Sequence, residues 1–190
     1  MSTVSAPFGL RPVNHWSGTI RPRRMTNGIA SGYATALYQG VPIMLNSSGE
    51  IVIATGAADI IGCFWGCEFT VGGYRRILPY WPASTVPDTG PDPFYVYIFD
   101  DPTIKYEIQG AGSYAITAIG DQADFSNITA GGYPPGFSLA TLGNLVGAGV
   151  QGQFRIEGLA NYLTNDWGDT YTIVQGSIAR HQYVSNKVAI

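Results

Sequence analysis

Charge is scarce in this sequence. Of its 190 residues only 12% are Asp, Glu, Lys or Arg, where soluble domains typically carry about 25%. Apolar residues still reach 45%. That proportion belongs to a folded chain, with a surface filled by Gly, Ser, Thr and Tyr. Such a surface suits contact with another protein more than with water. No apolar run approaches the ~20 residues of a membrane-spanning helix. The opening "MSTVSAPFGLRPV" has no hydrophobic core of a secretory signal, so synthesis in a cytosol is expected. The sequons at Asn46 and Asn127 then read as chance matches.

Histidine and cysteine number two each, too few for the usual metal centres. Cys63 and Cys67 share "CFWGC". In an extended segment they lie about 13 Å apart at ~3.3 Å per residue, beyond the ~7 Å reach of a disulfide. They read as small buried hydrophobes. No stretch repeats every 3.6 residues over a helix length. Ser138–Gly149 comes nearest, with Gly143, Gly147 and Gly149 against it. No tandem repeat points to a solenoid or propeller.

What the sequence does have is asymmetry. Residues 1–49 hold Arg11, Arg21, Arg23 and Arg24 and no acid, a charge of +4, which leaves −7 on the remainder. Pro7, Pro12 and Pro22 bias this stretch toward extended backbone. We read residues 1–30 as an extended arm that orders only against its own body or a neighbour. A basic arm on an acidic chain is expected to lie on an acidic surface. Nucleic acid is not the expected one, because nothing downstream continues the basic patch.

Twenty-five glycines, twelve prolines and strand signals every 10–12 residues read as an all-β chain, an arm plus a sandwich or barrel body. Residues 31–82 form a first lobe. It holds a hairpin around "NSSGE", with Pro42 marking an edge strand. In the next strand Ile61, Cys63, Trp65, Cys67 and Phe69 alternate onto one face. Residues 83–93, rich in proline, read as a linker, and 94–190 as a second lobe. Both faces of Phe94–Phe99 are apolar, so that strand is central. "DDPT" is a turn into a return strand at 105–109, and "YAITAIGDQADF" reads as a strand with a break at 120–124.

Candidates for chemistry are few, and no catalytic residue, cofactor or metal is expected. His15 and His181 have no recognisable nucleophile or acid at fixed spacing. Asp100 and Asp101 read as a turn rather than a hydrolytic pair, whose carboxyls usually come from different strands. Asp121 and Asp124 read as loop acids rather than calcium ligands. Arg75 and Arg76 read as solvated edge charges. The four tryptophans, Trp16, Trp65, Trp81 and Trp167, read as core or interface anchors, with sugar stacking as the alternative.

The order of "APFGLRPV", "GTIRP", "IASGYATALYQGVPIML", "GCFWGCEF", "YWPAST", "VYIFDDPTIKYEIQ", "IGDQADF" and "FRIEGLA" resembles a group of tailed-bacteriophage virion proteins, over about residues 6–160. The resemblance implies a capsid decoration, or cement, protein on the outside of the mature head. It would be made in the host cytoplasm and would bind the major capsid protein, commonly as a homotrimer, without nucleic acid or membrane. It also implies a β-tulip-like body, with a jelly roll as the rival. On this reading the arm contacts the shell through Phe8, Arg11, Trp16, Arg21, Arg23 and Arg24. A carbohydrate-binding head or tail-fibre protein is the first alternative, and a small β-fold glycan hydrolase the second.

Overall fold

A computed structural model describes residues 2–56, 58–89, 92–132 and 136–184. Residues 90 and 91 of the Pro-rich segment and 133–135 of the "TAGGYPPGF" loop lie outside the described residues. Twelve strands form two antiparallel sheets with no closed barrel, so the body is an all-β sandwich. The first sheet runs β1 (Arg11–Asn14), β8 (Lys105–Gln109), β12 (Ile173–Ile178), β11 (Phe154–Leu159), β9 (Gln122–Ser126), β10 (Thr141–Leu145). The second runs β2 (Arg23–Thr26), β7 (Tyr95–Phe99), β5 (Gly62–Val71), β3 (Pro42–Leu45), β4 (Ile51–Ile53), and β6 (Tyr74–Leu78) pairs with the far half of β5.

Two turns show how local chemistry sets the hairpins. Asn46 Oδ1 accepts from the backbone N–H of Ser48 and of Glu50, each at 2.9 Å, closing β3 onto β4. Between β5 and β6, Gly72 and Gly73 have φ of 61° and 79°, as a two-residue hairpin loop requires. The Asp88 carboxylate accepts both of their N–H groups at 2.9 and 2.8 Å. These bonds hold its pKa below the usual carboxylate range.

Each sheet covers its own apolar cluster. One gathers Leu10, Ile104, Tyr106, Ile108, Phe125, Phe154, Ile156 and Val174. The other gathers Ile29, Leu37, Ile43, Phe64, Phe69, Trp81, Val96 and Ile98. β5 serves both, because its pairing with β7 skips a residue between Phe64 and Gly66. Cys63 therefore faces the first cluster, while Phe64, Cys67 and Phe69 face the second. The expected single face from Ile61 to Phe69 is corrected by this bulge, which strict alternation cannot anticipate. Both cysteines are free and buried, and burial pushes the Cys67 thiol up to about 12.

Other expectations change for equally concrete reasons. β3 is not an edge strand, since it pairs β4 on one side and β5 on the other. Pro42 is tolerated because it is the first residue of the strand. The "DDPT" turn forms, but β8 crosses to the other sheet instead of returning beside β7. Within "YAITAIGDQADF" a 3-10 turn covers Ile116–Ala118, and the strand begins only at Gln122.

The division at 83–93 does not separate the sheets. β7, from the C-terminal side, sits between β2 and β5 in the second sheet. Its buried Val96 and Ile98 place it there. Residues 2–30 are extended apart from turns at 16–18 and 27, but they are not free of the body: β1 is an edge of the first sheet and β2 an edge of the second. Leu10, at 0% exposure, anchors the segment in the core.

Candidate interaction surface

The acidic surface that the basic segment needs is supplied by the chain itself. Arg11 donates to the Glu107 carboxylate at 2.6 Å, the residue opposite it in the β1–β8 pairing. Its guanidinium also lies 4.4 Å over the Phe8 ring. Glu107 is mostly buried, which raises its pKa. Hydrogen bonds from Tyr162, Gln175 and Arg11 outweigh the burial and keep it below its usual value. Arg23 pairs with Asp100 at 2.7 Å and donates to the Tyr183 hydroxyl at 2.9 Å. Arg24 lies 4.4 Å over the Tyr95 ring. Of the six residues expected to meet a partner, Phe8, Arg11, Arg23 and Arg24 are thus engaged within the body.

Trp16 and Arg21 remain turned outward. Both lie on the connection between β1 and β2, and Trp16 is 82% exposed. A tryptophan left in water is unusual for a structural residue. Arg21 is exposed and forms no ion pair among the described residues. It lines a cavity of about 280 Å³ with His15, Ser17, Thr19, Asp101 and Ile104.

The connection that carries them is fixed in place. Gly18 has φ of 77° and its N–H donates to the His15 carbonyl at 2.8 Å, closing a turn over Trp16. His15 Nδ1 meets Ser17 Oγ at 2.6 Å, and His15 Nε2 meets Thr103 Oγ1 at 2.6 Å and Asp101 Oδ2 at 3.3 Å. The Thr103 hydroxyl and its backbone N–H hold Asp101 below the usual carboxylate range, with help from His15. So the turn after β7 grips the loop after β1. In sequence His15 has no companion, because Asp101 and Thr103 reach it only through the pairing of β1 with β8, strands far apart in the chain. Ser17, two residues on, carries no motif by itself.

The remaining candidates take structural places. Asp100 turns to Arg23 and Asp101 to His15, so the two carboxyls do not face one another across a shared cleft. Burial raises the pKa of Asp100, against the pull of Arg23. Asp124 Oδ1 accepts the Gln153 N–H at 3.0 Å, and no group of three or more metal-binding side chains forms among the described residues. Arg75 pairs with Glu68 at 2.7 Å on the outer face of β5 and β6. Trp81 is buried, and Trp65 and Trp167 are half-buried against the first cluster. A smaller hollow of about 200 Å³ lies between Phe8, Arg11, Gln39, Trp65 and Phe137.

His181 is only 2% exposed, tilted against Tyr183 with ring centres 5.4 Å apart. Burial pushes its pKa below the ordinary 6.5. The folded state therefore resists protonation that the unfolded chain accepts. The stability this confers is present above pH 6.5 and is lost as pH falls below it. Urea unfolding at stepped pH is expected to show that decline in the native chain, and a smaller one in His181→Phe. An equal decline in both would remove His181 as its cause. Compared with known proteins, the chain matches no family model, no curated protein and no solved structure.

Proposed function

We propose that the protein is a decoration protein of a tailed-phage head, which binds the outside of the mature shell and stabilises contacts between major capsid subunits. The observation that carries this reading is Trp16, exposed on a connection that is bonded in place and that also carries Arg21, a cation with no ion pair among the described residues. Large aromatics and arginines dominate binding energies at protein interfaces. A connection already held in position loses little backbone freedom on docking. The partner it fits has an apolar pocket next to a carboxylate. The order of sequence motifs supplies the phage head as the setting, and the low surface charge agrees with it.

The mechanism is mass action. A protein that binds only the expanded shell stabilises it by its own binding free energy, and many symmetry-related copies, as homotrimers on the resemblance, add avidity. Co-sedimentation with expanded shells stripped of accessory proteins tests the reading. The native chain is expected to saturate. Trp16→Ala is expected to bind at least about thirty-fold more weakly, from the ~2 kcal/mol of a hot-spot residue, with an unchanged melting temperature. Arg21→Ala is expected to lose less. No saturable binding by the native chain would end the proposal. Equal binding by all three would move the contact elsewhere.

A carbohydrate-binding virion protein is the second reading, favoured by the hollow walled by Phe8, Trp65 and Phe137. It expects glycan retention that Trp16→Ala leaves intact.

A further inference from the structure

The bonds around His15 fix where its proton sits. Asp101 is an acceptor as a carboxylate, and Thr103 Oγ1 lies 2.6 Å from its Oδ1, so the single hydroxyl proton of Thr103 goes there. With that proton committed, Thr103 Oγ1 can only accept from His15 Nε2 at 2.6 Å. Nε2 therefore carries the ring hydrogen, and Nδ1 holds the lone pair. Ser17 Oγ, 2.6 Å from Nδ1, must donate its proton to that lone pair. The Ser17 backbone N–H, at 3.2 Å, shares it and holds the ring in register. A directed chain results, from Ser17 through His15 and Thr103 to Asp101.

This is the polarity that a serine nucleophile requires: hydroxyl to neutral imidazole, with the far nitrogen oriented by a third group and an acid at the end. Nδ1 and Nε2 exchange their commonest roles, which the chemistry of imidazole permits. Ser17 also faces space. It lines the cavity of about 280 Å³ whose wall includes Ile104, an apolar surface, and Arg21, a cation without an acid partner among the described residues.

We propose that Ser17 is a nucleophile toward small acyl esters, with His15 as its general base and Arg21 as the donor to the developing oxyanion. In the first step Ser17 Oγ bonds to the carbonyl carbon and its proton passes to Nδ1. The carbonyl electron pair moves onto the oxygen facing Arg21. Collapse re-forms the carbonyl, breaks the bond to the alkoxy group, and returns the proton from His15 to the leaving alcohol. Water then attacks the acyl-serine by the same route, releasing the carboxylic acid and Ser17. The net reaction is ester plus water to acid plus alcohol. Asp101, 3.3 Å from Nε2, stabilises the transient imidazolium. Thr103 and Asp101 are positioning residues, because neither touches the ester.

A fluorophosphonate that labels activated serines tests this on the native chain, with the modified residue mapped by mass spectrometry. Ser17 is expected to label on the order of a hundred-fold faster than any other serine, the scale of general-base assistance. The advantage is expected to vanish in urea and in His15→Gln. Thr103→Val, which keeps the imidazole but removes its orienting oxygen, is expected to label at an intermediate rate. p-Nitrophenyl acetate turnover is expected in the native chain and not in Ser17→Ala. Labelling of Ser17 in the native chain no faster than of its other serines overturns the proposal, and so does an advantage that survives in urea. The native-chain result decides without relying on any variant folding.

Discussion

A chain lacking residues 1–27 is expected to lose its cooperative fold, not merely to shed a tail. The deletion strips one edge from each sheet, since β1 pairs β8 and β2 pairs β7. It removes Leu10, fully buried in the first cluster. Truncating a buried leucine to alanine alone costs about 2–5 kcal/mol. It also strands the mostly buried Glu107 and the half-buried Asp100 without Arg11 and Arg23, and a buried charge without its partner is costly. Total stabilities are about 5–15 kcal/mol, so these losses together consume the margin. Circular dichroism on heating is the check. A truncated chain that melts cooperatively within a few degrees of the intact one would mean that the segment is an appendage.

Gly62→Ala is expected to cost about 3 kcal/mol or more, at the severe end for one added methyl. Gly62 opens β5 with φ of 147°, a conformation that side chains rarely adopt. A Cβ there would stand 1.7 Å from the Phe99 carbonyl oxygen and 2.7 Å from its carbon. Both atoms are backbone of β7, the central strand, so nothing soft can move aside. Gly112→Ala is the control, because a Cβ at Gly112 meets nothing within 4 Å. A domain of this size shifts in melting temperature by about 2–4 °C per kcal/mol, so the two variants are expected to separate clearly. Equal melting of both would contradict the close approach of β5 and β7 at this point.

The fold was legible where local chemistry decides it. The alternation of Val41–Leu45 with Ile51–Ile53 around Asn46 and Gly49 marks a hairpin, and it forms as β3 and β4. The two apolar faces of Phe94–Phe99 mark a central strand, and β7 is one. Long-range assembly was not legible. Nothing within "DDPT" says whether β8 returns beside β7 or crosses to the other sheet. The bulge at Trp65 reverses the faces of β5 because pairing with β7 skips one residue, a fact that resides in the partner strand. Proline at 42 signals an edge only if it falls inside a strand, and here it falls at the start.

The site follows the same division. The excess of arginine without acid before Glu50 pointed to an acidic surface, but composition cannot say whose. Glu107 and Asp100 answer it from within the chain. Exposure of Trp16 and the meeting of His15 with Thr103 and Asp101 arise from tertiary placement, and no spacing in the sequence announces either.

Amide hydrogen exchange across residues 10–27 tests most directly whether this basic segment is part of the body. Slow exchange is expected at Leu10, whose N–H donates to the Gly40 carbonyl at 2.7 Å, and through the paired positions of β1 and β2. Fast exchange is expected at Trp16 and Thr19 between them. Uniformly fast exchange from 10 to 27, at the rate of an unfolded peptide, would contradict this. The arginines would then be available to a partner, and Trp16 would lose the fixed presentation on which the proposed attachment depends.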